Sequence, residues 1–237
     1  MKTIFGFSTG CLFKIDLDIN QKIEAIINLG VNAIELGYVS GHTLIDQPLE
    51  SIDVNLLQNF DYVSVHAPTK NFDYQDTSAR QSFFAQLEQL NKKHKIDLVV
   101  FHPNSFTDLS VLNELKLPFA IENLDARNQT FTSTKEFAQV LEKFPNWKIV
   151  LDTQHCFTHD PTMALSKEFQ TQFGDQITEI QVSGFTGHHT TLFNQPEQTI
   201  IMDYTPLNYP IISESVVEKL EDLEVESNYI KNYLNIN

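Results

Sequence analysis

The sequence predicts an α/β protein in which eight parallel strands close into one (β/α)8 barrel, a TIM barrel, spanning residues 1–237 as a single domain. Three observations predict it. Short β-rich runs alternate along the chain with segments whose apolar residues recur every three to four positions. The β-rich runs are almost continuously apolar, as strands covered on both faces are. The length of 237 residues suits one such barrel better than two domains. A doubly wound open sheet is the architectural alternative.

In chain order, the strands are expected at residues 4–8, 33–36, 62–66, 98–102, 119–122, 148–151, 177–182 and 210–213, with helical spacing at 19–29, 77–94, 109–115, 134–144, 161–173 and 214–234. Gly30 follows the first helical segment where a left-handed cap residue belongs. Ser133 precedes Thr134 as an N-cap, and Pro161 after Asp160 reads as the first residue of a helix. Residues 185–209 carry Gly187, Pro196 and Pro206 among scattered Thr and Asn. They predict an irregular excursion after the seventh strand, placed to cover the barrel mouth. The final helix carries Glu214, Glu218, Glu221, Asp222, Glu224 and Glu226 against Lys219 and Lys231, and this charge run reads as a solvated face.

Composition narrows the function. The chain is 41% hydrophobic, enough for a sizeable core. Its 31 Asp and Glu against 16 Lys and Arg leave a net charge of −15, and Arg80 and Arg127 are its two arginines. A duplex DNA binder needs a basic footprint, so nucleic acid is a poor expected partner. Two cysteines, Cys11 and Cys156, are too few for a disulfide framework and fit reduced thiols in a cytoplasmic protein. No apolar run has the length of a membrane span or a signal-peptide core, so the chain is read as unprocessed and without membrane attachment.

Barrels of this kind place their chemistry at the C-terminal ends of the strands. The expected strand ends carry Glu35, His66, His102, Glu122, Asp152 with His155, Gln181 and Glu214. A lone Glu or His after a strand is usually a helix cap or a rim residue. Glu122, Asp152 and Glu214 converging on one mouth are another matter, because their mutual repulsion and desolvation cost several kcal/mol without a counter-ion. Together with the amide oxygen of Gln181 they form an oxygen-rich set suited to Mg2+ or Mn2+. The imidazoles of His66, His102, His155 and His189 offer either a softer site suited to Zn2+ or hydrogen bonds to a substrate.

At these residues the chain resembles the xylose isomerase-like TIM-barrel superfamily of sugar isomerases and epimerases, hydroxypyruvate isomerase and endonuclease IV (AP endonuclease family 2). Val65-His66-Ala67-Pro68, Phe101-His102-Pro103 and Ile121-Glu122-Asn123 resemble the third, fourth and fifth strand motifs of endonuclease IV. Leu151-Asp152-Thr153-Gln154-His155-Cys156-Phe157 is similar to its sixth, and Glu214 to the Glu that closes its eighth strand. That branch implies a zinc cluster and cleavage of DNA at abasic sites. Strand seven departs from it, with Gln181 in place of a metal-binding His and Gly187-His188-His189 in place of an Asp-Arg-His triplet. The same segment is similar to the Ile-Gln and Gly-Arg-His pattern of hydroxypyruvate isomerase-type enzymes, with His188 in place of Arg and Leu192 where glycines usually follow.

The second branch implies one divalent metal held by Glu122, Asp152, Gln181 and Glu214. It implies carbohydrate chemistry through a metal-stabilised enediolate, with Glu122 and Glu214 removing and returning a proton. His155 and His189 are then expected to orient substrate hydroxyls, with Glu35 and His188 in supporting positions. Because His188 stands where an Arg would clamp a carboxylate, a neutral sugar is expected in preference to hydroxypyruvate. The rivals are zinc-dependent phosphodiester hydrolysis and a metal-binding barrel without turnover.

Overall fold

The computed structural model describes residues 2–236. Eight strands form a closed parallel barrel in the order β1-β10-β7-β6-β5-β4-β3-β2, which excludes the open sheet. The barrel strands are β1 (Phe5–Ser8), β2 (Ala33–Gly37), β3 (Tyr62–His66), β4 (Leu98–Phe101), β5 (Phe119–Glu122), β6 (Lys148–Asp152), β7 (Ile177–Val182) and β10 (Ile211–Ser213). Each lies within about a residue of its expected position.

Outside the barrel pack α1 (Ile19–Ile27), α2 (Gly41–Asp46), α3 (Val54–Leu57), α4 (Thr77–Lys93), α5 (Thr134–Lys143), α6 (Thr153–His159), α7 (Ala164–Phe173), α8 (Ile200–Asp203) and α9 (Leu220–Leu234). Asp18 opens α1 with a complete capping box, its side chain accepting from Gln21 N while Gln21 accepts from Asp18 N. Gly30 follows in the left-handed region at φ +64°, as its place in the sequence predicts.

Alternation along the strands divides the side chains into two layers. Odd positions such as Phe7, Val65, Val99, Ile121 and Leu151 join one large core between barrel and helices. In β1 and in β3 to β6 the even positions enter the barrel. There Leu98, Val100, Ala120 and Val150 form a small apolar cluster with Tyr62 on the β3–β6 side. Toward the mouth the barrel-facing positions, even in β1, β3, β5 and β6 and odd in β2 and β7, deliver Ser8, Glu35, His66, Glu122, Asp152 and Gln181, all buried. The parity that builds the core therefore also points the polar residues at one another.

Several local expectations are corrected. Pro161 is not a first helical residue: residues 161–162 form a turn and α7 starts at Ala164, after Met163 in a left-handed conformation at φ +59°. Asp160 stabilises that turn by accepting from Thr162 N and Leu165 N. Residues 109–115 make a 3-10 rather than an α-helical segment. The last helix begins at Leu220, which leaves Glu214 on the strand end. The charge run is also not uniformly solvated, because Glu226 is fully buried. The excursion after β7 is ordered by a hairpin of β8 (Gly184–Phe185) and β9 (His189–Thr190), braced by Gln198, whose side chain exchanges two hydrogen bonds of 2.7 Å with the Phe185 backbone. Among the described residues no helix is long and apolar enough to cross a membrane.

Closure leaves no room at Gly6, where a Cβ would stand 1.8 Å from the Ala33 carbonyl oxygen of β2. The obstacle is backbone, so it cannot rotate away. Gly6→Ala is expected to cost about 3 kcal/mol, lowering the melting temperature by roughly 6–12 °C. Thermal unfolding followed by circular dichroism measures it, and a drop below about 2 °C would show that the β1–β2 crossing relaxes.

Candidate active site at the barrel mouth

Glu122 ends β5 fully buried and is the centre around which the mouth is arranged. Its Oε2 lies 3.2 Å from His66 Nε2 and 3.1 Å from His102 Nε2, while its Oε1 lies 3.0 Å from His155 Nδ1. The His155 Nδ1 hydrogen bond goes to the Asn123 carbonyl at 2.7 Å, so Oε1 keeps no hydrogen-bond partner.

Asn123 holds this geometry. Its side chain accepts from Asp152 N at 2.8 Å and donates to the Asp152 carbonyl at 3.0 Å, continuing the β5–β6 pairing past the end of the backbone ladder. Asp152 is also the N-cap of α6: its Oδ1 accepts from His155 N at 2.9 Å. Its Oδ2 is left buried without a hydrogen bond, 3.5 Å from His155 Nε2. The turn of helix that α6 starts immediately after β6 thus swings His155 back over the mouth.

Beside Asp152 in the β6–β7 register, Gln181 Nε2 donates to Glu35 Oε2 at 3.0 Å, which leaves Gln181 Oε1 as another buried acceptor without a partner. Glu214 follows β10, its backbone N–H donating to the Val182 carbonyl at 3.0 Å. His189, on the hairpin, shares a 2.9 Å hydrogen bond with Ser183 and lies 3.6 Å from Glu214 Oε2. The neighbouring His188 is on the exposed side of the hairpin turn.

Burial and mutual proximity shift the ionisation of the acids and imidazoles at the mouth. Burial raises the pKa of Glu214 well above its ordinary value, and the carboxylates of Glu35, Glu122 and Asp152 add to the rise. Asp152 is lifted to about 7 by burial, with Glu122 contributing. Burial would push His66 and His155 down, yet the surrounding carboxylates overcome it and hold both near 10. His102 and His189 stay neutral instead, lowered by burial and by neighbouring cations, His189 to about 3. Two imidazolium ions thus partly compensate a buried cluster of acids.

The residues fit a divalent cation. Glu122 Oε1, Asp152 Oδ2 and Gln181 Oε1 are buried oxygens without hydrogen-bond partners, a state that costs free energy unless a ligand satisfies it. They belong to three of the four residues expected to bind metal, and Glu214, raised by like charge, is the fourth. Two softer groupings share the space: His66, His102 and Glu122, and Asp152, His155 and His189, each with ligand atoms within 4.8 Å of one another.

Four contributors escape the strand-end reading. Asn123 and Ser183 position catalytic candidates, and Arg127 meets the hairpin through the Gly187 carbonyl at 3.2 Å. Glu226 accepts from Leu192 N at 2.8 Å, from Phe193 N at 3.1 Å and from Ser215 Oγ, tying the excursion and the residue after Glu214 to α9. A signal for Glu226 exists in the sequence: Leu223, Glu226, Ser227, Ile230 and Leu234 fall on one helical stripe, all of them buried.

No protein-family model and no curated protein matches the chain. Solved structures match over its full length. A D-tagatose 3-epimerase-like protein is 18% identical, with 100% of this chain and 98% of that one covered and a TM-score of 0.68. D-psicose 3-epimerase from Clostridium cellulolyticum H10 is 14% identical, covering 99% and 98%, at a TM-score of 0.63. A probable 3-DHS dehydratase from Bacillus anthracis is 16% identical, covering 100% of both chains, at a TM-score of 0.65. The likeness shows a shared (β/α)8 barrel fold.

The shifts fix the sign of a pH effect in metal-free protein. His66 and His155 are raised from 6.5 to about 10, so the stability they contribute is complete below pH 6.5 and is lost as pH rises toward 10. Asp152, raised to about 7, lowers stability in the same direction between its ordinary value and 7. Chelator-treated protein is therefore expected to melt at progressively lower temperature as pH rises from 6.5 to 10. Added Mn2+ should raise the melting temperature more at about pH 8.5 than at about pH 5.5, because metal and protons compete for these ligands. A melting temperature and metal response that are both flat with pH would contradict the charged-histidine assignment.

Proposed function

We propose that the chain is a divalent-metal-dependent sugar isomerase or epimerase, with Glu122, Asp152, Gln181 and Glu214 holding the metal and Glu122 and Glu214 exchanging the substrate proton. The observation that carries this reading is the convergence of buried, partnerless oxygens from Glu122, Asp152 and Gln181 beside Glu214. The shared fold with sugar epimerases supports it, while the dehydratase of the same fold is a reminder that a barrel alone does not specify chemistry.

When bound, Mg2+ or Mn2+ supplies the Lewis acidity that stabilises negative charge on adjacent carbonyl and hydroxyl oxygens of a ketose or aldose. The protein's own groups do the rest. Glu122 and Glu214 stand three strands apart around the barrel, so a sugar carbon between them meets a carboxylate on either side. One removes the proton beside the carbonyl and the other returns it, to the opposite face for epimerisation or to the neighbouring carbon for isomerisation. The environments of the two acids differ in the required sense: three imidazoles adjoin Glu122 and lower it, whereas burial and like charge raise Glu214. His155 and His189 present ring nitrogens to substrate hydroxyls, and Glu35 keeps the Gln181 amide oriented. The cytoplasm is the compartment proposed for this chemistry, in keeping with two buried free cysteines.

A second reading, zinc-dependent phosphodiester hydrolysis, is favoured by the His66, His102 and Glu122 grouping. The net charge of −15 weighs against it. Metal analysis separates the two, since two or more zinc ions per chain favour hydrolysis and one Mn2+ or Mg2+ favours the isomerase.

In deuterated solvent, the metal-loaded protein is expected to exchange carbon-bound hydrogen of a ketose, followed by NMR. Glu214→Gln is expected to lower the exchange rate at least ~10²-fold, the contribution of a positioned acid-base group, while retaining the fold. Absence of exchange across a ketose and aldose panel, together with cleavage of an abasic-site oligonucleotide, would replace this reading with the second. Absence of both activities would leave a binding barrel.

A further inference from the structure

The two arginines of this acidic chain have different surroundings. Arg80 is buried away from the mouth: Nη1 donates to the Tyr74 carbonyl at 2.6 Å, and Nε and Nη2 donate to the two carboxylate oxygens of Glu114 at 3.2 and 3.0 Å. Arg127 stands on the rim of the mouth, in the loop between β5 and α5, with its side chain 57% exposed. Its Nε donates to Asp125 Oδ2 at 2.7 Å, its Nη2 donates to the same oxygen, and its Nη1 donates to the Gly187 carbonyl at 3.2 Å.

The loop presenting it is rigidly held. Asp125 is 2% exposed and also accepts from Arg127 N at 3.0 Å and Asn128 Nδ2 at 2.9 Å. Ala126 N donates to Thr158 Oγ1 at 2.9 Å, and Asn104 donates to Asn128 at 2.8 Å. The guanidinium therefore spans two mouth loops, one following β5 and one following β7. It is close enough to His189 for its charge to help lower that residue's pKa, and His189 in turn lies 3.6 Å from Glu214.

A guanidinium has five N–H donors in a fixed plane. Three are engaged here, which leaves one N–H on Nη1 and one on Nη2 without a protein acceptor on this exposed rim side chain. We propose that this pair makes Arg127 a substrate-binding and specificity-determining residue, which reads two oxygens at the end of a neutral polyhydroxylated substrate farthest from Glu122 and Glu214. The inference rests on the isomerase or epimerase reading and names its substrate class: a sugar longer than the three carbons that proton exchange requires, carrying neither phosphate nor carboxylate. Neutrality follows from Asp125, which already cancels the guanidinium charge, and from the acids lining the mouth, which repel an anion. Recognition then comes from the donor fork rather than from net charge.

The test compares solvent-hydrogen exchange into dihydroxyacetone, which has no distal end, with exchange into a ketohexose, using metal-loaded wild type, Arg127→Ala and Arg127→Lys. Removing a hydrogen-bonding donor pair is expected to lower the ratio of ketohexose to dihydroxyacetone kcat/KM at least ~10-fold in Arg127→Ala, mainly through ketohexose KM. A matching loss of ketohexose affinity should be seen by calorimetry. Arg127→Lys keeps the charge without the fork and is expected to lose most of the same selectivity.

An unchanged ratio in Arg127→Ala, whether activity on both substrates is kept or falls equally, would overturn the proposal in favour of a purely structural tether of the hairpin. Full selectivity in Arg127→Lys, or an Arg127-dependent preference for a ketose phosphate or a sugar acid, would overturn the neutral-substrate assignment. Wild-type protein inert toward every ketose is a different result, overturning the isomerase reading itself and this inference with it.

Discussion

Burying Glu122 at the end of β5 constrains everything around it. A carboxylate removed from water must find cations or donors, and here His66, His102 and His155 approach its two oxygens within 3.2 Å. Those imidazoles come from three different strand ends, so one acid fixes the relative positions of β3, β4, β5 and β6 at the mouth. Glu35, Asp152, Glu179 and Glu214 are interior acids too, and the pKa of each is raised. Each of these acids must hold a proton or meet a cation, and the partnerless oxygens of Glu122, Asp152 and Gln181 support the proposal that a cation is what they meet at the mouth.

The scaffold meets this electrostatic demand by reusing connections that the fold needs in any case. Asp152 must cap α6, because a helix beginning directly after a strand leaves backbone N–H groups without partners. One carboxylate oxygen does so and the other remains for a ligand. Asn123 must join β5 to β6 where the ladder stops, and in doing so it fixes Glu122 and His155 on either side of itself. Glu226 makes the same kind of connection at greater range. Its carboxylate reaches from the last helix to the backbone of Leu192 and Phe193, which follow His189, and to Ser215, which follows Glu214. Structural and chemical roles are carried by adjacent atoms.

How much of this is legible in the sequence depends on whether a signal is local. The barrel strands are legible because parallel strands buried on both faces must be apolar, and their ends are legible because polarity returns where burial ceases. Hence Glu35, His66, Glu122, Asp152, Gln181 and Glu214 are read correctly as strand-end residues. Arg127 is not legible: it lies five residues beyond Glu122, and its contact with Gly187 spans 60 positions. Pro161 misleads because a turn and a helix start share the same residue preferences, and Asp160 stabilises the turn. Glu226 illustrates two signals in conflict. Charge density assigns it to solvent and helical phase assigns it to the core, and phase prevails because three hydrogen bonds await its carboxylate.

His66 connects the single-metal and multi-metal readings in physical terms. Its Nδ1 lies 3.0 Å from the Ala67 carbonyl, leaving Nε2 directed at Glu122. Protonated, that nitrogen donates to Glu122 and supplies a positive charge at the position a second metal would take. Deprotonated, the same nitrogen, with His102 Nε2 and Glu122, is a ligand set for zinc. A proton and a metal ion thus compete for one place in the mouth, and the acidity of the surroundings decides between them. Carboxylates that raise His66 to about 10 favour the proton at neutral pH, which supports the proposal that a metal is held by the oxygen-rich set of Glu122, Asp152, Gln181 and Glu214. Under the proposed function that set suits carbon acids beside carbonyl groups, since it would offer two carboxylates around a hard cation and leave the imidazoles to hold hydroxyls.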